Sequence, residues 1–281
     1  MRYNEYIISG KHGNPIIKTF RSSVPEGPRP LREHHHTECE LSVVICGAGI
    51  YRSGSKSYEF SSGDMFLFGS NEAHCITDVH TPLTLLNVHF EPRLLWESEE
   101  NLEILRLFAP RDDERVNMIC SSDTVLREMI MHIERELCDS TVGYSVIAKS
   151  ELLSALVHIM RSRDSIGDAL LPHNSVALTK RLEDAISYID KNLDRHLSLE
   201  DIAERACMAP TYFSAVFKRF GGISPWDYIM IKRVERAVEM LKSTDMTKIE
   251  IAEACGFSSS SNFYKVFFKI TGKRPSDYSR K

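Results

Sequence analysis

The chain of 281 residues contains no Cys-x-x-Cys pair, which removes the usual spacing for a structural zinc or a dithiol redox centre. Its seven cysteines are odd in number and scattered, the usage of a reducing compartment and not of a disulfide-stapled domain. No apolar run approaches the roughly 18 residues that a membrane-spanning helix requires, so no membrane partner is expected. The start, Met1-Arg2-Tyr3-Asn4-Glu5-Tyr6, is not a signal peptide, and a cytoplasmic location follows as the expectation. A strong charge of one sign is missing as well, the formal net being −4. That total hides an asymmetry: residues 181–281 hold 17 Lys and Arg against 14 Asp and Glu, a net of +3, and the remainder carries −7. The basic end can meet phosphates and the acidic end cannot. A net of +3 is small for nucleic-acid binding, so contact geometry and avidity between paired chains must supply much of any affinity. The length predicts two domains.

What is present is a pattern that occurs twice near the end. The first copy has Ile202-Ala203-Glu204, Phe213-x-x-Val216-Phe217-Lys218, Gly221-Gly222, Pro225 and Asp227-Tyr228; the second has Ile251-Ala252-Glu253, Phe263-x-x-Val266-Phe267-Phe268-Lys269, Gly272, Pro275 and Asp277-Tyr278. The offset is 49 residues at the front and 50 after the turn, so the second copy has one extra residue between its two helices. Two copies make a pair of modules and not a solenoid. Each copy reads as helix, tight turn, helix. Ser198-Leu199-Glu200-Asp201 carries a capping-box signature, Pro210 suits a first helical position, and Gly221-Gly222 stops the second helix. In the second copy Thr247 to Glu250 repeats the cap, and Ser258 to Ser261 offers several more.

Two short helices on a tight turn form the arrangement whose second helix enters a DNA major groove. Outside the first apolar stripe lie Thr211, Tyr212, Ser214, Ala215, Lys218 and Arg219. Outside the second lie Ser260, Ser261, Asn262, Tyr264, Lys265 and Lys269. Small hydrogen-bonding side chains early in each helix suit base edges, with Asn262 toward adenine and Lys265 toward guanine. The later cations, joined by Lys273 and Arg274, suit phosphates. A connecting helix from about Pro225 to Leu241, capped by Ser224, would hold two such helices about one DNA turn apart, roughly 34 Å.

The first half reads differently. Short apolar segments separated by turns run from about Lys18 to Phe90, among them Leu41–Cys46 ending at Gly47-Ala48-Gly49, Met65–Phe68 and Leu83–Phe90. Many short strands predict a small barrel or jelly roll. His34, His36 and Glu40 differ by even numbers, so on a strand they would share one face. His35 would be solvated, and His80 and His89 read as ordinary surface or core histidines. Amphipathic helices follow, one through Val125, Leu126, Met129, Ile130, Ile133 and Leu137, another through Val146 to Met160. Residues 164–180 read as an interdomain linker, between a first domain at 1–163 and a last at 181–281.

The last hundred residues resemble the DNA-binding domain of the AraC/XylS family of bacterial transcription regulators. Leu199–Ala206, Tyr212 to Lys218, Ser224-Pro225-x-x-Tyr228, Gly256-Phe257, Phe267-Phe268-Lys269 and Thr271-Gly272-x-x-Pro275-x-x-Tyr278 carry the resemblance. Ala215 departs from the long polar or basic side chain that members commonly place there. His34-x-His36-x-x-x-Glu40, with Gly47 further on, resembles the first cupin motif; Gly63-Asp64 and Asn71-x-x-His74 resemble the second, with Gly69 and Asn71 where Pro and Gly are usual. In metal-binding cupins the matching positions, here His34, His36, Glu40 and His74, hold a divalent metal. In regulators they line an effector pocket, to which Tyr51 and Trp96 are added as stacking or gating surfaces.

The expected protein is α+β: a cupin-like barrel with following helices that pair two chains, then an all-α region with two helix-turn-helix motifs. Its expected partners are double-stranded DNA, a sugar-like effector, RNA polymerase and a second copy of itself. No cofactor is required. A metal-dependent cupin enzyme, or a metal sensor fused to a DNA-binding module, is the alternative, and a constitutive activator with a merely structural barrel is a third.

Overall fold

The computed structural model describes residues 2–9, 15–29, 33–96, 101, 103–108, 117–119, 121–165 and 173–278. Its contacts divide the chain into two compact units, one holding Pro15–Thr179 and the other Lys180–Arg219 and Ile223–Lys281.

The first unit is built on a single antiparallel sheet. Its strands are β1 (Arg2–Ser9), β2 (Pro15–Val24), β3 (Gly27–Pro28), β4 (Cys39–Ser53), β5 (Lys56–Phe60), β6 (Met65–Phe68), β7 (His74–Phe90) and β8 (Met118–Ile119). They run in the order β1-β2-β7-β4-β6-β8, with β3 on β7 and β5 on β4. β4 and β7, of 15 and 17 residues, form the spine. Their ladder runs from Cys39↔Phe90 to Ser53↔His74 and slips register four times, and each slip bends and twists the pair. Gly47-Ala48-Gly49 is therefore no turn between strands but the bulged middle of one strand. Gly47 sits there at φ +102°, and a Cβ would come within 2.6 Å of the Pro82 carbonyl oxygen, so only glycine lets the spine fold this tightly.

The bend brings the two ends of the sheet face to face. Phe66, Phe68 and Leu85 from one end meet Tyr51, Phe60 and Val79 from the other in one core cluster. The register sets Glu40 opposite His89 and Ser42 opposite Asn87, on the same alternation as Val44 and Leu85, so polar groups stand on the inward face. On the outward face Leu41, Val43, Leu67, Leu86 and Val88 are all buried. Helix α1 (Thr124–Asp139) packs on β1, β2 and β4, and helix α2 (Tyr144–Ser165) packs on α1. Arg21 of β2 forks onto Glu134 of α1 at 2.7 and 2.8 Å, and Asp123 both caps α1 and accepts from His158 of α2 at 2.9 Å.

The rest of the chain is helical: α3 (His173–Lys191), which enters the second unit at Lys180, then α4 (Leu199–Arg205), α5 (Pro210–Gly221), α6 (Pro225–Ser243), α7 (Lys248–Ala254), α8 (Ser260–Thr271) and a final 3₁₀ turn, Pro275–Asp277. Segment 164–180, expected as interdomain linker, is helical where it is described. Residues 164–165 end α2 and 173–180 begin α3, while 166–172 lie outside the described residues. The buried positions Thr179, Leu182, Ala185, Ile186 and Ile189 recur at helical spacing, so the stripe of α3 starts inside the segment read as linker.

Four starts are capped as the sequence implies. Ser198 accepts from Asp201, Ser224 from Asp227 and Ser259 from Asn262, while Thr247 and Glu250 form a reciprocal capping box. Phe213, Phe217, Phe263 and Phe267 are all fully buried. Phe263→Ala is expected to lower stability by about 3–5 kcal/mol, the cost of an emptied aromatic site. Urea unfolding followed by circular dichroism reads it, and a loss below about 1 kcal/mol, ordinary for a surface change, would mean that α8 is not held by this face.

Candidate DNA-reading surface and ligand pocket

An amphipathic helix that buries one stripe commits the opposite stripe to solvent. In α5 the buried stripe is Phe213, Val216 and Phe217, and Thr211, Tyr212, Ala215, Lys218 and Arg219 are exposed, with Ser214 half-buried. In α8 the stripe is Phe263 and Phe267, and Ser260, Ser261, Asn262, Tyr264, Lys265 and Lys269 are exposed. Lys273 and Arg274, just beyond α8, are exposed too. Every residue selected as a DNA contact thus stands on the wet side, Ser214 in part. The two faces are not copies. Phe268, aligned with Lys218, is 56% exposed and Tyr264, aligned with Ser214, is 42% exposed; with Lys248 and Arg274 they line a cavity of about 480 Å³.

In the first unit a second group of chemistry-bearing residues converges. The chain at 34–38 is not strand, and only Glu40 lies in β4. His34, His36 and Glu40 therefore do not share one strand face. They meet because His34 forms a two-way backbone bridge with His74, at 3.1 and 3.0 Å, which swings the preceding segment against the start of β7. The His34 and His74 rings then lie 4.4 Å apart, and those of His36 and His74 5.3 Å apart. Glu40 is almost fully buried, and its Oε2 receives His36 Nε2 at 3.1 Å and His89 Nε2 at 3.0 Å. His89, read from the sequence as an ordinary histidine, is a full member of the cluster, and its ring stacks on His36 at 4.3 Å. The signal for it was present: Asn87 and His89 put two polar side chains on one face of an otherwise apolar strand.

Hydrogen bonds fix the tautomers. His36 Nδ1 is 2.9 Å from the Glu38 carbonyl and His74 Nδ1 is 2.8 Å from that of Glu72. A carbonyl only accepts, so both Nδ1 atoms carry hydrogen. In neutral rings both Nε2 atoms would then be bare lone pairs. His36 Nε2 would aim its lone pair at a carboxylate oxygen. His74 Nε2, 3.4 Å from the same oxygen but outside hydrogen-bond geometry, is buried with no hydrogen-bond partner. Lone pair against carboxylate repels, so the arrangement calls for a proton between ring and carboxylate or for a metal ion. Burial disfavours charge on His36, yet the hydrogen bond and charge of Glu40, with help from Glu38, raise its pKa. Burial likewise opposes ionisation of Glu40, but the three histidines hold its carboxyl well below the usual range. For His34 burial dominates, followed by repulsion from His74, and its pKa falls. Donor atoms of His34, His36 and His74, and of His36, Glu40 and His89, lie within 4.8 Å of one another. Imidazoles anchored through Nδ1 on carbonyls are also how metal-binding histidines are oriented, so the donor set fits a divalent first-row cation.

Tyr51 is buried beside the cluster, its ring 6.0 Å from His74 and 5.1 Å from Phe68, and forms wall more than gate. Trp96 ends the 3₁₀ turn Pro92–Trp96 beyond β7. His35 and His80 are exposed and take no part in the cluster.

A bent antiparallel sheet with a polar, histidine-lined interior and a pair of helix-turn-helix motifs with wet faces define a ligand-responsive, DNA-binding transcription regulator. Residues 28–157 match the AraC-like ligand binding domain and residues 202–281 a helix-turn-helix domain. The chain belongs to the AraC/XylS family of transcription regulators. It is 23% identical over 280 residues to the HTH-type transcriptional activator RhaR of Mannheimia succiniciproducens, a match spanning 99% of this chain and 95% of that one. It is 25% identical over 244 residues to the arabinose operon regulatory protein of Salmonella typhimurium, spanning 85% and 82%. To the HTH-type transcriptional regulator YijO of Escherichia coli it is 34% identical over 119 residues, spanning 42% and 41%.

The roles expected of Lys265 and Lys269 on α8 can be tested separately. Lys265→Ala is expected to cost about 1–3 kcal/mol on the preferred site and to relax one base position. Lys269→Ala is expected to weaken all sequences alike and to flatten the salt dependence by about one phosphate. Binding titrations on single-base variants of the site at several salt concentrations read both. Equal losses for Lys265→Ala on every sequence, or an unchanged slope for Lys269→Ala, would reverse these roles.

Proposed function

We propose that this protein is a cytoplasmic activator that pairs with a second copy of itself, binds a sugar-like molecule inside the bent sheet, and reads two successive major-groove segments per chain. The carrying observation is the duplicated helix pair, in which α5 and α8 bury equivalent phenylalanines and expose polar and cationic side chains. Thr211, Ser214, Ser260, Ser261, Asn262 and Lys265 take base edges, with Ala215 restricted to a thymine methyl. Tyr212 and Tyr264 flank them, and Lys218, Arg219, Lys269, Lys273 and Arg274 take phosphates. Activation by contact with RNA polymerase accords with relatives named as activators. Residues 181–281 serve as the DNA-reading part and 1–163 as the sensing and pairing part.

Pairing is assigned to α1 and α2. Val142, Val146 and Ile147 are exposed at one end of that helical hairpin, and Val125 is exposed near the start of α1. The exposed apolar residues Val142, Val146 and Ile147 at the turn between the helices suit a second copy. Val146→Glu with Ile147→Glu is expected to convert the dimer to monomer in sedimentation velocity; an unchanged dimer would place the interface elsewhere.

The sugar reading rests on the polar interior. Glu40 as a fixed anion and the imidazoles as donors and acceptors suit hydroxyl groups, and the name of one relative, an arabinose operon regulatory protein, points the same way. No reaction is assigned to the site, which accords with a family of regulators. A second reading is favoured by the His74 nitrogen that lacks a partner: a divalent cation held by His36 with Glu40 and His89, or by His34, His36 and His74, would supply Lewis acidity there. Thermal-shift screening against sugars and sugar acids decides. A true effector at 100 times its dissociation constant adds about 2.7 kcal/mol to the folded state, and Glu40→Gln is expected to abolish the shift. If no sugar moves the melting point, and protein purified without chelators carries stoichiometric iron, manganese or nickel that His36→Ala loses, the cation reading replaces it.

A further inference from the structure

The second unit has a joint at which three segments meet on one guanidinium. Arg233 lies midway along the connecting helix α6 and is 5% exposed. Its Nε donates to the Leu193 carbonyl at 2.9 Å and its Nη2 to the Arg195 carbonyl at 2.7 Å. Both carbonyls belong to the short segment between α3 and α4 that leads into the first helix-turn-helix. On its other side the guanidinium carbon lies 6.0 Å from the centre of the Phe257 ring, in the turn of the second helix-turn-helix. The neighbouring Gly256 is at φ +79°, and a Cβ there would fall 2.1 Å from the Leu193 oxygen and 2.8 Å from Arg233 Nη2. The second turn is thus pressed against the same guanidinium and carbonyl that hold the first module.

Burying a cation is costly unless polar groups surround it. Among the described residues Arg233 has no carboxylate within ion-pair distance; its bonds go to main-chain carbonyls just past the end of α3, where the helix dipole adds negative potential. Burial lowers the readiness of the group to carry its charge, in agreement with this placement. A leucine or methionine would pack here without that cost but would leave the buried Leu193 carbonyl without a donor and would drop the part-buried bond to Arg195. Arginine differs from any apolar residue, and from lysine, in presenting donors in a rigid planar fork. A fork across Leu193 and Arg195 fixes both the distance and the rotation of α6 against the lead-in to α4. Tyr228, also on α6, ties the same helix to Asp190 of α3 at 3.2 Å, and that tie does not touch the second module.

We propose that Arg233 is a positioning residue: it sets the separation and phase of the two reading helices, and hence the spacing between the two base-pair segments that one chain accepts. The inference rests on the two-groove reading above and adds the element that makes spacing specific. Inserting one base pair rotates one segment about the other by roughly a tenth of a turn, which a rigid joint punishes and a loose one absorbs.

The test uses the full chain and a bipartite site selected by the wild-type protein from random duplexes. Binding is measured on that site and on versions with one or two base pairs inserted or removed between its halves. Wild type is expected to lose on the order of tenfold for one inserted base pair, as for a lost base contact. Arg233→Lys, whose ammonium can serve only one of the two carbonyls well, is expected to flatten that penalty to about twofold while keeping affinity for the native spacing within about threefold, a small fraction of a typical specificity ratio. A spacing profile identical to wild type overturns the proposal, and so does an equal loss on every spacing, which would make Arg233 a residue of fold stability alone. If Arg233→Lys does not melt cooperatively, Phe257→Leu, which leaves both carbonyl bonds in place and removes the ring, is expected to flatten the profile in part; an unchanged profile there also overturns it. A wild-type protein with no preferred spacing would instead defeat the two-groove reading itself.

Discussion

Burial of paired phenylalanines in the two second helices is the constraint on which the DNA-reading unit depends. Phe213 and Phe217 lie 5.4 Å apart, and Phe263 and Phe267 repeat the same separation. Each pair is continued by a tyrosine past the end of its helix, Tyr228 at 5.7 Å and Tyr278 at 5.5 Å. A helix pinned through one stripe has only one rotation about its axis available. That rotation decides which side chains reach solvent, so a purely hydrophobic contact selects the polar residues that can meet a base edge. The exposed side chains proposed to specify sequence lie apart from the buried stripe that stabilises each helix.

The first unit applies the opposite logic. Its interior holds a carboxylate that could ionise only at great cost in an apolar core, and three histidines converge on it. A site of this kind is poised to take groups that complete its hydrogen bonding, because His74 Nε2, His89 Nδ1 and Ser42 Oγ are buried without partners. Buried polar atoms of that sort are few in folded proteins and mark places where water, an ion or a ligand belongs. The bulged spine makes this possible: without the register slips around Gly47 the sheet would lie flatter, and Glu40 would face solvent or a helix.

How far the sequence announces this architecture depends on the range of the forces involved. The helical repeat is local, so caps at Ser198, Ser224, Thr247 and Ser259 and the stripes through Phe213 and Phe263 can be read directly from spacing. The sheet is non-local, and its reading fails where pairing decides the outcome. Gly47-Ala48-Gly49 carries the composition of a turn, and only the long partner strand β7 makes it a bulge. His34 and His36 carry an even spacing that implies a strand, yet they are brought together by a bridge to His74, 40 residues from His34 in the chain. His89 stands opposite Glu40 by register, a relation absent from any short motif. In segment 164–180, expected as linker, packing of Thr179 and Leu182 continues the stripe of α3.

The two modules also differ in what they can offer a duplex, and this bears on how so weak a net charge suffices. The first presents threonine, serine and alanine with Lys218 and Arg219; the second presents Asn262 and Lys265 with an aromatic flank of Tyr264 and Phe268 between Lys248 and Arg274. With a net of only +3 over residues 181–281, long-range attraction adds little beyond what seven or so local cations supply at contact. On the proposed two-groove reading, affinity comes from both modules engaging at once, and simultaneous engagement contributes only when the linkage between them matches the geometry of the duplex. A stiff connecting helix with a buried arginine at its joint meets that requirement, since each degree of freedom removed before binding is one that binding does not have to remove. Rigidity at Arg233 and sparse charge on the surface are therefore two sides of one solution: specificity is placed in spacing, and the electrostatic term that would bind any DNA is kept small.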